Sequence, residues 1–233
     1  MMHNTIDIPR SEQFDDVYFS AVDGLAETRH VFLDGNDLPA AWEGKDSFTI
    51  CETGFGTGLN FLAVCQDWLR TEQDIRPKTL RFISFEKYPL SKEYIYKHLS
   101  HWEDLSYPLE IFLSNYTADN KLKRIEMDIF DGVSLVVYVG DINNTIASIE
   151  ERVNCWFLDG FKPSSNPDMW SEKVFQNMAR LSTFNTSFAT YTAAGFVRRG
   201  LEAVGFDVCK VPGFGRKREM CVGKFIQENT NAG

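Results

Sequence analysis

A glycine-rich run, CETGFGTGLN at residues 51–60, constrains this chain more than any other stretch. It follows an apolar segment that contains Phe48 and Ile50, and it precedes a segment with the spacing of an amphipathic helix. Glycine permits a tight turn and a close approach of a ligand to the main chain, and the helix that follows points its first N–H groups at that ligand. The run therefore predicts a ligand-binding loop between a strand and a helix.

The spacing of the three glycines narrows the class of ligand. The dinucleotide fingerprint G-x-G-x-x-G would need a glycine at position 59, where the chain has Leu59. The pattern present is G-x-G-x-G with an acidic residue before it, and this resembles S-adenosylmethionine sites. Because that cofactor carries no phosphates, it needs hydrogen bonds to its ribose, amino-acid and adenine groups. The expected contacts around this loop are Glu52, Gly54, Gly56, Gly58 and Asn60.

Strand-like and helix-like segments alternate along the chain. Residues 59–69 have apolar side chains at helical spacing, including Leu69, and predict a helix with one buried face. The predicted strands around it are DSFTIC, TLRFISFEK, VSLVVYVGD, NCWFLDGF and TSFATYT. The stretch from Glu93 to Glu126 has no clear pattern. The alternation predicts an α/β fold with a mainly parallel sheet and a ligand site at the carboxyl ends of the strands.

The end of the chain predicts a change of strand direction. After the helix AGFVRRGLEAVG, the strands FDVCKVPG and REMCVGKF are joined by the turn GFGRK, which is too short for a parallel crossover. The last strand is therefore expected to run antiparallel. By fold-level analogy we expect a Rossmann-like class I methyltransferase with a mostly parallel, seven-stranded sheet.

Composition favours a single soluble domain. The 233 residues are 43% hydrophobic, contain no run of about 18 apolar residues and begin without the pattern of a signal peptide, so we expect a cytoplasmic protein. The five cysteines are scattered and form no CxxC pair, which favours reduced core thiols over disulfides or a zinc site. His98 and His101 have no third ligand nearby, which favours a solvated helix face over a metal site.

Three carboxylates end successive predicted strands. Glu86 closes the second strand, where it can accept both ribose hydroxyl protons. Asp141 closes the third on the expected adenine side, and Asp159 closes the fourth beside the expected transfer point. Lys87, next to Glu86, is a further expected cofactor contact. Each acidic residue alone fits a turn or a helix cap equally well, but three of them behind one glycine loop favour a cofactor site.

Eight sequence blocks resemble a known family. They are DDVYFS, ETRHVFL, ETGFGTGLNFL, FISFEKYPL, GDIN, WFLDGFKPSSNPDMW, AGFVRRGL and GFGRKREM. Together they resemble the N-terminal, methyltransferase half of the bifunctional tRNA 5-methylaminomethyl-2-thiouridine biosynthesis family, MnmC, from Phe14 to Phe225. The resemblance implies methyl transfer from S-adenosylmethionine to the exocyclic amine of 5-aminomethyl-2-thiouridine at the wobble position of tRNA.

The resemblance also implies an organisation and a partner. An N-terminal segment, residues 1–45, would cover the pocket of a methyltransferase domain at residues 46–227, and residues 228–233 would form a tail. Within the first segment, Tyr18, Phe19 and Glu27 would lie over the pocket, with simple packing as the equal alternative. Bacterial members usually continue into a flavin-dependent oxidase that supplies the amine. No such half follows here, so we expect an enzyme that acts alone or one part of a larger protein.

Methyl transfer to an amine needs a free lone pair held in line with the methyl group. A lysine-like amine has a pKa of about 10.4, so the site must favour the neutral amine or accept its proton. Asp159 is the candidate for both tasks. Phe161 is a candidate to stack on the extruded base, and a core aromatic explains this residue nearly as well.

Net charge argues against a nucleic-acid substrate. The chain has a formal charge of −9 and a pI near 5.0, whereas nucleic-acid binders are usually basic. Local runs of cations alone are more often solvated faces, but the family resemblance favours weak, strongly salt-dependent contact with the phosphates of a tRNA anticodon loop, and Arg216 closing over the active site is a further alternative. These cations are Arg198, Arg199, Arg216, Lys217 and Arg218. Methylation of a small-molecule amine and a non-catalytic binding module remain as competing functions.

Overall fold

The computed structural model describes residues 8–11, 13–19, 23–119 and 121–227. These residues form one eight-stranded sheet between two layers of helices, and a separate two-stranded ribbon. The ribbon strands are β1 (Arg10–Ser11) and β2 (Asp16–Val17). The sheet strands are β3 (Ser47–Glu52), β4 (Thr79–Glu86), β5 (Arg124–Phe130), β6 (Val133–Val139), β7 (Val153–Phe157), β8 (Ser182–Thr190), β9 (Phe206–Pro212) and β10 (Glu219–Phe225). The α-helices are α1 (Gly24–Thr28), α2 (Leu59–Arg70), α3 (Lys92–Leu99), α4 (Ser106–Asn115), α5 (Ile142–Thr145), α6 (Glu172–Leu181) and α7 (Gly195–Ala203).

The sheet has the order β5-β6-β4-β3-β7-β8-β10-β9. Its five central strands, from β6 to β8, are parallel. The expected α/β fold and its antiparallel last strand are confirmed, because β10 pairs in the antiparallel direction with both β8 and β9. The predicted tail, residues 228–233, and parts of the predicted N-terminal segment lie outside the described residues.

The expected number of strands was wrong. The described residues form eight strands in the sheet rather than seven, because β5 adds an antiparallel strand beside β6. The two strands are joined by Asp131 and Gly132, and Gly132 has a φ of +80°, a conformation that suits a two-residue hairpin. The sheet therefore carries antiparallel strands at both ends.

Apolar side chains alternate between the two faces of the sheet. In β4, Leu80 and Phe82 pack against one layer of helices, while Ile83 and Phe85 pack against the other. Burial on both faces is typical of the central strands of parallel sheets. Each such side chain contributes roughly 1.5–3 kcal/mol when it is fully buried. Among the described helices, none is both long and apolar enough to cross a membrane.

Three side chains differ in burial from the sequence expectation. In the last turn of α2, Trp68 faces the core, whereas Leu69 is 41% exposed. Cys209 is exposed on β9, the outer strand, and the other four cysteines are buried as expected. His98 is buried because α3 turns it inward, with its ring 4.5 Å from the ring of Tyr94 one helical turn earlier.

Candidate active site

A cavity of about 660 Å³ lies where the loops after β3, β4, β6 and β7 meet the N-terminal residues and the β9–β10 turn. Small-molecule sites are expected at this edge of a parallel sheet and have volumes of roughly 300–1,000 Å³. The predicted residues that line the cavity are Tyr18, Phe19, Glu27, Gly54, Gly56, Asn60, Glu86, Lys87, Asp141, Asp159, Phe161 and Lys217. The predicted residues that do not line it are Glu52, Gly58, Arg198, Arg199, Arg216 and Arg218.

The glycine loop after β3 leaves little room for a Cβ atom at two of its glycines. Gly56 has a φ of +52°, and a Cβ atom there would lie 3.0 Å from the ring of Tyr18. Gly58, the residue before α2, has a φ of +80°, and its Cβ would lie 2.9 Å from the ring of Phe55. Both positions favour glycine because left-handed backbone strains other residues. At Gly54 and Gly56, which line the cavity, the main chain therefore has no side chain between it and a ligand.

Glu86 is half-buried at the end of β4, facing the glycine loop. Its Oε2 accepts the N–H of Gly56 at 2.8 Å, and its Oε1 accepts the N–H of Tyr88 at 2.7 Å. Burial raises the pKa of this carboxyl, and hydrogen bonds from the backbone of Tyr88, Gly56 and Lys87 oppose the rise. Because each carboxylate oxygen has two lone pairs, both can also accept a hydrogen bond from a ligand.

Asp141 lies after β6, across from Glu86, and caps α5. Its Oδ1 accepts the N–H of Asn143 at 3.0 Å, and its Oδ2 is 2.9 Å from Nζ of Lys87. Burial alone would raise the pKa of Asp141, but the hydrogen bonds from Lys87 and Asn143 hold it below its usual value. This carboxylate is thus charged at neutral pH and already paired with a cation.

Asp159 is two residues beyond β7, at the centre of the described site. Its Oδ1 accepts the N–H of Gly160 at 2.7 Å, and its Oδ2 accepts Nδ2 of Asn60 at 2.6 Å. Burial raises the pKa of Asp159 from 3.8 to about 6, although both hydrogen bonds work in the opposite direction. The carboxyl therefore changes its protonation state near pH 6, in the range that suits a general base.

Glu52 points into the core instead of the cavity. It is completely buried, accepts Nδ2 of Asn60 at 2.8 Å, and accepts the hydroxyl of Ser84 at 2.7 Å. Burial raises the pKa of this carboxyl well above its usual value, and the neighbouring charge of Asp159 raises it further. Glu52 therefore acts on the cavity indirectly, through its hydrogen bond to Asn60 and through its electrostatic interaction with Asp159.

Aromatic rings from the N-terminal ribbon and the loop after β7 form the outer wall. Phe161 stacks on Phe14, with ring centroids 4.7 Å apart, and meets the edge of Tyr18 at 5.2 Å. The ribbon is held there by Asp16, whose carboxylate accepts the N–H of Lys162 at 3.0 Å. Burial, and then the charge of Glu86, raise the pKa of Tyr18 to about 12. This phenol is therefore neutral at physiological pH.

The predicted basic residues separate into three groups. Lys217 reaches the cavity, where its Nζ lies 2.9 Å from Oε1 of Glu27 and 4.4 Å from the centre of the Tyr191 ring. Arg216 and Arg218 are exposed on the same turn. On α7, Arg198 is half-buried and Arg199 is exposed, and neither lines the cavity.

Several cavity residues escaped the sequence reasoning, namely Phe14, Thr28, Met169 and Tyr191. Tyr191 donates its hydroxyl to the carbonyl of Gly160 at 2.8 Å and so braces the loop that carries Asp159. Its position at the end of the fifth predicted strand was the available signal, because the ends of parallel strands meet at one edge. No group of three His, Cys, Asp or Glu side chains within the described part of the chain is arranged to hold a metal ion.

Comparison with known proteins gives a consistent result. A family model described as S-adenosyl-L-methionine-dependent methyltransferase matches residues 106–225, just over half of the chain. The chain is 48% identical over 219 residues to the tRNA 5-methylaminomethyl-2-thiouridine biosynthesis bifunctional protein MnmC of Marinomonas sp. (strain MWYL1), covering 93% of this chain and 32% of that protein. The protein of the same name from Vibrio cholerae (strain O395) is 46% identical over 236 residues, covering 97% and 35%. The chain thus spans about a third of the length of these curated relatives.

Solved structures agree with the fold. MNMC2 from Aquifex aeolicus superposes with a TM-score of 0.73 at 21% identity, covering 92% of this chain and 66% of that one. A precorrin-6y C5,15-methyltransferase from Geobacter metallireducens superposes with a TM-score of 0.52 at 11% identity, covering 94% of each chain. At such low identities the likeness concerns the architecture alone.

Proposed function

The chain belongs to the family of S-adenosyl-L-methionine-dependent methyltransferases, and from this membership we propose that it methylates the exocyclic amine of 5-aminomethyl-2-thiouridine at the tRNA wobble position. The product would be 5-methylaminomethyl-2-thiouridine. The observation that carries the proposal is Asp159, a half-buried carboxylate on the cavity wall whose pKa is raised to about 6. A carboxylate in this position can bind an amine and take its proton.

The cavity fits the family's cofactor better than it fits a dinucleotide. We assign the ribose hydroxyls to Glu86, the adenine side to Asp141 and Lys87, and the amino-acid portion to the thin main-chain wall at Gly54 and Gly56. The carboxylates of Glu86, Asp141 and Asp159 suit a ligand with a cationic sulfur and would repel a pyrophosphate. Gly58 shapes the turn, and Glu52 acts from the core. When bound, the cofactor supplies an electrophilic methyl group on its sulfonium.

Asp159 would act on the substrate amine. An alkylammonium with a pKa of about 10.4 has no lone pair for the new N–C bond, so one proton must leave before or during the transfer. The raised pKa of Asp159 brings it closer to the pKa of the substrate ammonium, which makes the carboxylate a better proton acceptor. Burial beside apolar rings would also lower the pKa of the substrate amine, because desolvation disfavours the ammonium.

The aromatic wall would receive the base. A base in an anticodon loop must leave its stack to reach a buried methyl donor, and flipped bases are commonly held between aromatic side chains. Phe161 offers such a ring at the mouth of the cavity. Because Phe14 covers one face of that ring, we propose that the ribbon shifts when the base enters.

The basic residues would contact phosphates. Arg216 and Arg218 are exposed on the turn that also carries Lys217, which lines the cavity. Arg199 offers a further exposed cation on α7, and we assign Arg198 a weaker role because it is half-buried. A tRNA substrate would place the enzyme in the cytoplasm.

The length of the relatives bears on the partner. The relatives are named as bifunctional and are about three times as long as this chain. We propose that a flavin-dependent oxidase, either fused or separate, removes a carboxymethyl group in an earlier step and delivers the primary amine to this site. The substrate must be a primary amine, because methylation of a secondary amine would give a different product.

A second candidate is methylation of a small-molecule amine. Its support is the formal charge of −9, which would weaken binding to a polyanion. Activity that is insensitive to salt and to the removal of tRNA would favour this candidate over the first.

Transfer of a labelled methyl group tests the proposal. We expect label in tRNA that carries the aminomethyl precursor and none in tRNA that lacks it, with Asp159→Asn as the inactive control. Calorimetric titration should detect S-adenosylhomocysteine and not NAD. Cofactor binding without any transfer to the precursor tRNA would refute the tRNA assignment while leaving the family intact.

A further inference from the structure

A single buried amide joins the two most perturbed carboxyls of the site. Asn60 donates one hydrogen of its Nδ2 to Glu52 at 2.8 Å and the other to Asp159 at 2.6 Å. On the opposite side, Oδ1 of Asn60 accepts the hydroxyl of Thr28 at 2.8 Å. All the hydrogen-bonding atoms of this amide therefore have partners, and Asn60 and Thr28 are both buried.

These partners fix which way the amide faces. If the amide of Asn60 turned over, its oxygen would face two carboxyls, and its nitrogen would face the hydroxyl of Thr28. The facing oxygens of Glu52 and Asp159 both accept from this amide, so the turned amide would lose two hydrogen bonds and bring oxygen against oxygen. Glu52 is itself held by the hydroxyl of Ser84, within strands β3 and β4.

We infer that Asn60 is a positioning residue for Asp159, and that Glu52 and Thr28 serve to hold the Asn60 amide in its working orientation. The inference rests on the proposed function only in giving Asp159 its task. It explains why a carboxyl lies fully buried beneath the glycine loop without lining the cavity. It also makes α1, through Thr28, a support of the carboxyl that lies after β7.

Other charged groups face Asp159 and must be kept constant in a test. Glu27 of α1 raises the pKa of Asp159, and Lys217 of the β9–β10 turn lowers it. Tyr191, after β8, lies near enough for Asp159 to raise the pKa of its phenol. Substitutions at Asn60 or Thr28 change no formal charge, so any change in the titration of Asp159 can be assigned to the hydrogen bonds.

The test is carbon NMR titration of the Asp159 carboxyl in the ligand-free protein, with the signal assigned by Asp159→Asn. Asn60→Ala should raise the pKa of Asp159 from about 6 by roughly one pH unit, because a hydrogen bond to the ionised form is lost. Thr28→Val should move it in the same direction, whereas Thr28→Ser, which keeps the hydroxyl, should restore it. The acid limb of the kcat profile should move with the titration.

Matched variants separate positioning from folding and from charge. Asn154→Ala removes another half-buried amide, which accepts the N–H of Thr49 at 2.7 Å, and should leave the titration unchanged. Glu52→Gln and Glu52→Met both remove the titratable carboxyl, but only Gln keeps an acceptor for Asn60, so Asp159 should titrate higher in the Met variant. An unchanged Asp159 pKa in folded Asn60→Ala would overturn the inference. Because the titration needs neither cofactor nor tRNA, its result is independent of the substrate assignment.

Discussion

The carboxylate of Glu86 accepts the backbone N–H of Gly56 at 2.8 Å, which ties the end of β4 to the middle of the glycine loop. The same carboxylate accepts the N–H of Tyr88, so its orientation is fixed before any ligand arrives. A carboxylate that is held in place loses little conformational entropy when it binds a sugar. This pre-organisation is the basis of the first prediction.

Replacing Glu86 by Gln should weaken the binding of S-adenosylhomocysteine about 10- to 100-fold, because a hydrogen bond to a charged group contributes roughly 1.5–3 kcal/mol. Calorimetric titration measures the effect. Glu126→Gln, on the distant strand β5, is the matched control. Equal affinities for the Glu86 variant and the wild type would show that the ribose is bound elsewhere.

Activity should depend on pH through Asp159. The pKa of its carboxyl is raised to about 6, and in the proposed reaction the ionised form would bind the ammonium and take its proton. The carboxyl is protonated below this pKa, so kcat should rise with pH through about pH 6 and level off above it. Asp159→Asn should lower kcat by about 10²–10⁴-fold. A wild-type profile that is flat between pH 5 and pH 7 would contradict this role.

Substitution of Phe161 should affect the substrate and not the cofactor. Stacking of a base on an aromatic ring contributes roughly 1–3 kcal/mol, so Phe161→Leu should raise the KM for tRNA by about 5- to 150-fold. The affinity for S-adenosylhomocysteine should stay the same. Phe184→Leu, at a ring that is 54% exposed and does not line the cavity, is the control. Loss of cofactor affinity with an unaltered KM for tRNA would show that Phe161 contacts the cofactor and not the base.

The basic turn should determine how tRNA binding responds to salt. The double variant Arg216→Ala, Arg218→Ala should weaken tRNA binding and reduce the slope of log K against log salt by about 2, because each phosphate contact contributes roughly one released counterion. Filter binding across a salt series measures both quantities. Lys121→Ala, Lys123→Ala removes two exposed cations from the loop before β5 and should leave the slope unchanged.

Local patterns were sufficient to predict most of the sheet. The glycine loop, the strand before it, the helix after it and the reversal at the last strand all follow from spacing and turn length. The strand β5 was missed although Ile125, Met127 and Ile129 alternate with polar residues, the period expected of a strand with one buried face. The stretch without a clear pattern, from Glu93 to Glu126, includes the first three residues of β5 and concealed this signal.

The direction of Glu52 was also readable in principle. Side chains two residues apart in a strand share a face, so Glu52 belongs with Phe48 and Ile50, which are buried beneath the helices. Its place directly before the glycines had suggested a ligand contact instead. The contact between Asn60 and Asp159 was beyond reach, since 99 residues separate them and only the tertiary fold brings them together.

The ribbon of β1 and β2 has a practical consequence for anyone who shortens the protein. It contributes Phe14, Tyr18 and the Asp16 clasp to the outer wall, yet it pairs with no strand of the large sheet. A version trimmed to begin after residue 19 would keep every strand of that sheet but lose part of the outer wall of the cavity. Thermal stability would then be a poor guide to catalytic activity, so trimmed versions should be compared by their turnover.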